Sequence, residues 1–280
     1  MNFKGYSEES LKWVENGDEI VAIIYFLTGL IATMFGSMAG LGGGIIIKPV
    51  LDFLGDYDVE SIAVLSASTV FAMACVSLIT SAKSDVKINV KSSFTIAIGS
   101  IIGGLVGKLS FGYIIDMFEN AGKVTVIQSL MIAVLMCFIY VFVRYKHKMK
   151  TYNMNNIFII VGIGFILGVL AAFLGIGGGP FNVAILALCF SMNAKESALN
   201  SIFIIFFSQL SALMLLMFTT GFGSLDLSML LYMLPGGVLG GFVGSKIAKS
   251  IDGWLVEKIF AVGIILIIVI SVWNVVNYYI

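Results

Sequence analysis

Three adjacent glycines occur twice in this 280-residue chain, each time between a long apolar run and a short one. The two triplets are Gly42, Gly43 and Gly44, and Gly177, Gly178 and Gly179. Consecutive glycines break a helix, and backbone without helical hydrogen bonds survives at membrane depth only where protein or a polar cavity surrounds it. The triplets therefore predict two interrupted membrane helices whose bare backbone a ligand can approach.

The class of protein follows from the length of the apolar runs. Apolar residues make up 59% of the chain and charged residues 11%, and runs such as 261–273 are apolar on every side, which is typical of membrane helices and not of barrel strands. We expect an all-α polytopic membrane protein. The candidate segments are 20–38, 45–54, 59–82, 88–114 and 124–143, followed by 157–174, 180–190, 198–219, 227–247 and 254–276.

The ten segments divide into two similar halves of five, each with one short broken helix. Residues of the same type recur in order at a constant offset of 135, which indicates an internal duplication. The first repeat is predicted at 20–143 and the second at 156–278. The matched pairs are Gly40 with Gly175, the two glycine triplets with each other, Ala63 with Ala198, Ser66 with Ser201, and Phe71 with Phe206.

The basic loop 144–150 is the densest cluster of Lys and Arg, which places it in the cytoplasm. If both short segments cross most of the membrane, each half makes five crossings and the halves have inverted topology, as in many secondary transporters. If the short segments are re-entrant instead, each half makes four crossings and the repeats are parallel. The acidic N-terminal segment favours the inverted arrangement.

The start of each short helix is a candidate anion site. About ten residues at ~1.5 Å each cover roughly half of the hydrocarbon thickness, so this N-terminus lies deep in the membrane. Its first amides lack helical partners and carry the positive end of the helix dipole, which suits an anion approaching over glycine. The alternative is that the triplets only permit close helix packing, the role expected for the glycines spaced by four at 99–107 and 236–244.

Five polar residues near the triplets complete the predicted substrate site: Lys48, Ser66, Asn182, Asn200 and Ser201. Lys48 lies one turn into the first short helix and either neutralises the charge of the substrate, or pairs with Asp52 or extends to the surface. The hydroxyl and amide groups either bind substrate oxygens or bond to neighbouring backbone. Ser68, Thr69, Ser208 and Gln209 belong to the wider polar set.

Other classes of function have little support. The single histidine, His147, lies in the basic loop, and no arrangement of catalytic or metal-ligating residues falls within the spans, so we expect no enzyme activity, metal or cofactor. Neither triplet continues as a nucleotide-binding loop. A net charge of zero argues against nucleic acid as a partner.

At segments 40–51 and 175–186, each opened by a G-x-G-G-G run with a proline soon after, the chain resembles the TauE/SafE-type sulfite exporter family, also called the toluene-sulfonate uptake permease family. The resemblance extends over nearly the whole length. It implies transport of sulfite, sulfonates or other small sulfur-containing or organic anions across a prokaryotic inner membrane, without ATP. By motif position it carries over to the two triplets and Pro49. The second copy departs from the pattern, with Ala184 in place of that proline, and Lys48 stands at a position more usually apolar.

The expected function is secondary transport of small anions by alternating access, in a multi-pass protein of the plasma (inner) membrane. The partners are the anionic substrate and the lipid bilayer, with a homo-oligomer as a further possibility. An anion channel and a non-transporting membrane scaffold are the alternatives. The sequence leaves the substrate, the direction of transport and the coupling ion open.

Overall fold

The computed structural model describes residues 8–82, 84, 86–117, 121–148, 150–219, 221–223 and 225–279. All regular secondary structure in these residues is helical, which confirms the predicted fold class. The ten α-helices are α1 (Glu8–Ala39), α2 (Gly44–Leu54), α3 (Val59–Ser81), α4 (Val90–Met117), α5 (Ala121–Tyr145), α6 (Ile157–Leu174), α7 (Gly179–Phe190), α8 (Ala194–Phe218), α9 (Leu230–Ser250) and α10 (Gly253–Tyr279). One 3₁₀ turn, Lys146–Lys148, follows α5.

Eight of the described helices are long and apolar enough to cross a membrane. The other two, α2 with 11 residues and α7 with 12, follow the glycine triplets directly. The two short helices therefore lie where the short apolar runs predict them. The largest difference at a helix start inside the chain is at α8, which begins at Ala194 and not near residue 198, because Asn193 and Glu196 form a capping box that nucleates the helix earlier.

Helix packing repeats when the first five helices are exchanged with the last five. The most extensive contacts join α1 to α9 and α4 to α6, and each of these pairs becomes the other under the exchange. The contacts of α3 with α9 and of α8 with α4 are related in the same way, while the pairs α3–α8 and α5–α10 map onto themselves. This pattern is what a structural duplication produces when its two copies pack around a common axis.

Glycines spaced by four seat the most extensive helix pairs, as the sequence predicts. Cβ atoms at Gly236, Gly240 and Gly244 of α9 would strike backbone of α1, and Cβ atoms at Gly99, Gly103 and Gly107 of α4 would strike backbone of α6. The bare glycine faces thus let these helices approach closely enough for backbone to touch backbone, which is how small residues stabilise membrane bundles.

Polar contacts between helix ends define two faces of the bundle. On one, here called the acidic face, the Tyr25 hydroxyl in the middle of α1 donates to Asp56 just after α2 at 2.7 Å. Since the end of α2 lies beside Tyr25, α2 runs back along the second half of α1, and the two form a hairpin whose turn is the first glycine loop. On the opposite lysine face, Lys146 after α5 pairs with Glu257 of α10 at 2.6 Å, and Lys249 of α9 donates to the Thr80 carbonyl of α3.

The second hairpin, α6–α7, begins and ends on the lysine face. Immediately before α6, the Tyr152 amide donates to the Leu188 carbonyl of α7 at 2.8 Å. Just after α7, the Ser191 hydroxyl donates to the Thr151 hydroxyl at 2.9 Å. The two hairpins therefore enter the bundle from opposite faces, and their glycine turns both lie in its interior.

Candidate functional site

Positive φ angles explain why the two interruptions consist of glycine. Gly42 and Gly43 have φ of 83° and 75°, and Gly177 and Gly178 have φ of 72° and 77°. L-residues with a side chain rarely occupy this left-handed region, whereas glycine does so without a steric penalty. The triplets therefore build two tight turns that reverse the chain between a long helix and a short one.

The two turns pack directly against each other. A Cβ atom on Gly44 would lie 3.3 Å from the Ile176 carbonyl oxygen, and a Cβ atom on Gly179 would overlap the Leu41 carbonyl oxygen. Both contacts join the first residue of one short helix to the turn of the other half, and their members are related by the offset of 135. The contact is reciprocal, so the axis that relates the halves passes between the turns.

A pair of aromatic rings marks the same axis. Phe71 of α3 and Phe206 of α8 are related by the offset of 135, and their rings stack with centroids 5.3 Å apart and planes inclined by 25°. Residues that are equivalent in two copies contact each other only close to the axis between the copies. The duplication inferred from sequence and the packing observed in space therefore agree at α3 and α8.

The N-termini of α2 and α7 consequently point into the interior of the bundle. Gly43 and Gly178 are the N-cap residues, and neither helix has a side chain that caps it among the described residues. Uncapped first-turn amides carry the positive end of the helix dipole. Leu41, Ile45 and Ile176 are almost fully buried here, so bulk water does not screen that partial charge.

The two equivalent serines are engaged differently. The Ser201 hydroxyl donates to the Gly40 carbonyl at 2.7 Å and lies 3.3 Å from the Gly179 carbonyl, so it joins both glycine turns. Ser66 of α3 packs against the start of α2, where its side-chain oxygen lies 3.1 Å from the position of a Cβ atom on Gly44. Ser66 is 3% exposed and its hydroxyl has no hydrogen-bond partner among the described residues. Its hydroxyl is thus available to a ligand.

Two amide side chains of the second half also lie at the glycine turn without protein partners. Asn182 is 3% exposed, and its amide atoms lie 3.8 Å from the position of a Cβ atom on Gly178. Gln209 is 7% exposed, and its amide nitrogen lies 2.5 Å from that position on Gly177. Neither side chain has a hydrogen bond within the described part of the chain. Buried amides without partners are costly unless water or a ligand satisfies them.

Gln209 was not selected from the sequence as a substrate contact, although it belongs to the wider polar set. Its equivalent in the first half is Ala74, which is not polar, so comparison of the two halves does not indicate a role for Gln209. A glutamine in an apolar membrane helix is itself unusual enough to indicate either a bond between helices or a ligand.

Asn200 is fully occupied by structural bonds. Its side-chain oxygen accepts from the Asn89 amide at 2.8 Å and from the Ser93 hydroxyl at 2.6 Å, and its nitrogen donates to the Glu196 carbonyl at 2.8 Å. These bonds tie α8 to the beginning of α4. Within the described part of the chain, no hydrogen bond joins the Asn200 side chain to either glycine turn.

Lys48 forms a buried ion pair with Asp52, one of the arrangements that the sequence leaves open. The ammonium nitrogen lies 3.1 Å from a carboxylate oxygen, and Lys48 as a whole is 1% exposed. The side-chain stem of Lys48 packs over Gly175, with two carbons 3.1 Å from the position of a Cβ atom. The lysine thus stands beside the second turn, but Asp52 compensates its charge in this conformation.

A second group of polar side chains lies behind this ion pair. Asn274 of α10 donates to the Pro49 carbonyl at 3.0 Å, and Gln128 of α5 donates to the Phe173 carbonyl at 2.7 Å. The side-chain oxygens of both amides, and the hydroxyl of Ser271, are buried without partners among the described residues. Such oxygens are satisfied in a membrane bundle by buried water, so this region is expected to be hydrated.

A cavity of about 270 Å³ extends from the lysine face toward the first glycine turn. Ala198 lines it, and a Cβ atom on Gly40 would lie 2.5 Å from the Ala198 Cα atom. The Ala198 wall of the cavity therefore packs against the turn.

Comparisons with known proteins agree with these features. The sequence matches the profile of the family described as Sulfite exporter TauE/SafE over residues 25–270. It is 26% identical over 271 residues to the probable membrane transporter protein YunE of Bacillus subtilis, a match that covers 88% of this chain and 95% of that protein. A protein of Methanocaldococcus jannaschii, also named a probable membrane transporter, is 30% identical over 179 residues, covering 59% of this chain and 61% of that protein. No solved structure matches the chain.

Proposed function

Because the chain belongs to the TauE/SafE sulfite exporter family, we propose that it is a secondary transporter of small anions such as sulfite, sulfonates or related organic anions. It is a multi-pass integral membrane protein of the prokaryotic plasma membrane. The observation that carries the proposal is the meeting of two uncapped helix N-termini inside the bundle. Two such termini place backbone amides and positive dipole ends around one point, which favours an anion.

Neutral donors surround that point. Ser66, Asn182 and Gln209 are buried beside the turns and are free of hydrogen bonds to the described residues. Hydroxyl and amide groups donate to the oxygens of sulfite or of a sulfonate without adding a fixed charge that would bind the anion too tightly for release. The proposed substrate site therefore comprises the two triplets with these three side chains, and Ser201 holds the turns together.

We further propose that the two halves, 20–143 and 156–278, are inverted repeats that alternate the access of this site. Support comes from the hairpins, since α2 ends on the acidic face beside Tyr25 of α1, whereas α6–α7 begins and ends on the lysine face. If two similar halves enter the bundle from opposite faces, each half can adopt the conformation of the other. This exchange opens the site first to one face and then to the other.

The described conformation corresponds to one state of such a cycle. At the acidic face, the Tyr57 hydroxyl bonds to Ser228 at 2.8 Å, and the rings of Tyr25 and Tyr57 meet edge to face at 5.8 Å. At the lysine face, a cavity lies next to the first turn, with Ala198 between them. We therefore assign this conformation to a state that is closed at the acidic face.

Reconstituted protein tests the proposal. Proteoliposomes should take up labelled sulfite or thiosulfate faster than protein-free liposomes, and unlabelled anion on the opposite side should accelerate exchange, as expected of a carrier and not of a channel. Gly178→Leu should abolish uptake because φ is 77° and the turn is buried. Gly162→Leu is the matched control, since Gly162 has open space around it on the exposed side of α6. Equal flux with and without protein across a panel of anions would reject the function.

A further inference from the structure

The polar residues that line the cavity at the lysine face are serines and lysines. The cavity lies between the ends of α1, α3 and α9 and the beginnings of α8 and α10. No carboxylate lines it within the described part of the chain. Its polar lining residues are Ser37, Ser81, Ser84, Lys195, Ser245 and Lys249.

The two lysines carry positive charge that no acidic side chain compensates among the residues the structure describes. The Lys249 ammonium donates to the Thr80 carbonyl, and the Lys195 ammonium lies 3.3 Å from the Lys249 carbonyl. Both therefore contact backbone oxygens at helix ends, and neither forms an ion pair with a described residue. Each ammonium has three N–H donors, so donors remain for a ligand that enters the cavity.

The cavity is separated from the first glycine turn only by the Ala198 wall. Ala198 lines its inner part and touches Gly40, and one turn later on α8 the Ser201 hydroxyl donates to the Gly40 carbonyl. A volume of about 270 Å³ accommodates a small hydrated anion with room to spare. An anion held by the lysines would therefore lie on the lysine-face side of the first glycine turn.

We propose that this cavity is a second anion site, in which Lys195 and Lys249 hold a small oxyanion such as sulfite. The Ser81 hydroxyl, which has no hydrogen bond to a described residue, is a further donor, whereas the Ser37, Ser84 and Ser245 hydroxyls donate to backbone carbonyls. This second site rests on the proposed function only for which anion is transported, because the charge and shape of the cavity do not depend on transport. It also has no copy in the other half, because the residue equivalent to Lys195 at the offset of 135 is Glu60. The lysine face alone therefore concentrates anions at its opening.

Equilibrium binding tests this site separately from transport. Labelled sulfite is titrated into the purified protein in nanodiscs of neutral phosphatidylcholine, and flux is measured after the same protein is reconstituted into liposomes. We expect K195Q/K249Q to weaken sulfite binding at least about tenfold, with a smaller dependence on salt than in the wild type. Lys246→Gln is the matched control, because Lys246 lies on the same face over the Phe242 ring, 4.2 Å from its centroid, and outside the cavity. Its affinity should stay within about twofold of the wild type.

A charge-preserving variant excludes loss of folding as the cause. K195R/K249R keeps both charges, so we expect it to restore affinity to within about threefold, while all variants elute as one species on gel filtration. Unchanged affinity in K195Q/K249Q, or wild-type protein that binds no sulfite, would overturn the second site. Flux equal to that of protein-free liposomes would instead reject the proposed transport, whatever the lysines bind.

Lipid phosphate is the other source of the same chemistry. The binding assay is repeated in nanodiscs that contain phosphatidylglycerol. Sulfite affinity that remains unchanged assigns the site to the free anion, as we propose. Loss of sulfite affinity only in protein that keeps both lysines would assign the cavity to a lipid headgroup and contradict the proposal.

Discussion

Gly179→Ala tests the contact between the two glycine turns. Gly179 begins α7, and a Cβ atom there would overlap the Leu41 carbonyl oxygen and lie 2.9 Å from the Leu41 Cα atom. The obstacle is backbone, so it cannot be relieved by rotation of a side chain. Overpacking of this kind costs about 1–3 kcal/mol, and we expect the upper end of that range because both turns are buried.

Two other glycines calibrate this effect. Gly44 is equivalent to Gly179, but its nearest neighbour would be the Ser66 oxygen at 3.1 Å, a side-chain atom that can rotate away. Gly44→Ala should therefore cost less, about 1 kcal/mol. Gly162 of α6 has no atom within reach of a Cβ, so Gly162→Ala should stabilise the helix by roughly 0.5–1 kcal/mol.

Thermal unfolding in nanodiscs, followed by tryptophan fluorescence at one scan rate, ranks the three variants. At roughly 2–4 °C per kcal/mol, Gly179→Ala should lower the apparent Tm by about 5–10 °C, Gly44→Ala by a few degrees, and Gly162→Ala not at all. A Gly179→Ala protein that melts together with Gly162→Ala would show that the two turns do not touch. The reciprocal packing, and the site built on it, would then be incorrect.

Three further predictions follow from single contacts. Ser201→Ala should lower stability by about 1–3 kcal/mol, because a buried carbonyl at the turns loses its donor, whereas Ser66→Ala should leave the Tm unchanged and weaken sulfite binding; melting curves and titrations check both. Lys48→Met should cost about 3–5 kcal/mol, because it leaves Asp52 buried and unpaired, and a K48M/D52L protein should recover most of the lost Tm. Burial raises the pKa of the Asp58 carboxyl, but hydrogen bonds from the Ser61 hydroxyl and the first amides of α3 outweigh burial and lower it below its ordinary value. At pH values above the pKa of Asp58 in the unfolded chain, this helix cap therefore stabilises the fold by about 0.5–2 kcal/mol. That stabilisation is lost as the pH falls through the lower pKa of the folded state, so Asp58→Asn should flatten the acid limb of a Tm-versus-pH curve.

The interrupted helices and their pairing were predictable because both depend on local chemistry. Three adjacent glycines cannot continue a membrane helix, and the observed φ angles at Gly43 and Gly178 require glycine. The offset of 135 relates the two halves from sequence alone. The stacked rings of Phe71 and Phe206, which are equivalent at that offset, agree with this relation. Apolar periodicity was less informative about helix ends, and at α8 the capping residue Asn193 overrides it.

The composition of the site was less predictable, because it depends on neighbours distant in sequence. Asn200 and Gln209 are polar residues of the same helix, yet Asn200 bonds to Asn89 and Ser93, while Gln209 lies over Gly177 with no hydrogen bond to a described residue. Nothing in the sequence of α8 distinguishes these roles. Lys195 was overlooked for a related reason, since a lysine at the start of a helix is typical of a solvated loop and only the assembled bundle places it at a cavity.

Crystallographic anomalous scattering from selenite, an oxyanion of the same shape as sulfite, tests the central claim most directly. The two uncapped helix starts predict a selenium peak whose oxygens lie within hydrogen-bonding distance of the first-turn amides of α2 or α7 and of Asn182 or Gln209. Occupancy there should fall in Gly178→Leu. Peaks confined to surface lysines or to the lysine-face cavity at saturating selenite, with none at the glycine turns, would contradict an anion site formed by the broken helices.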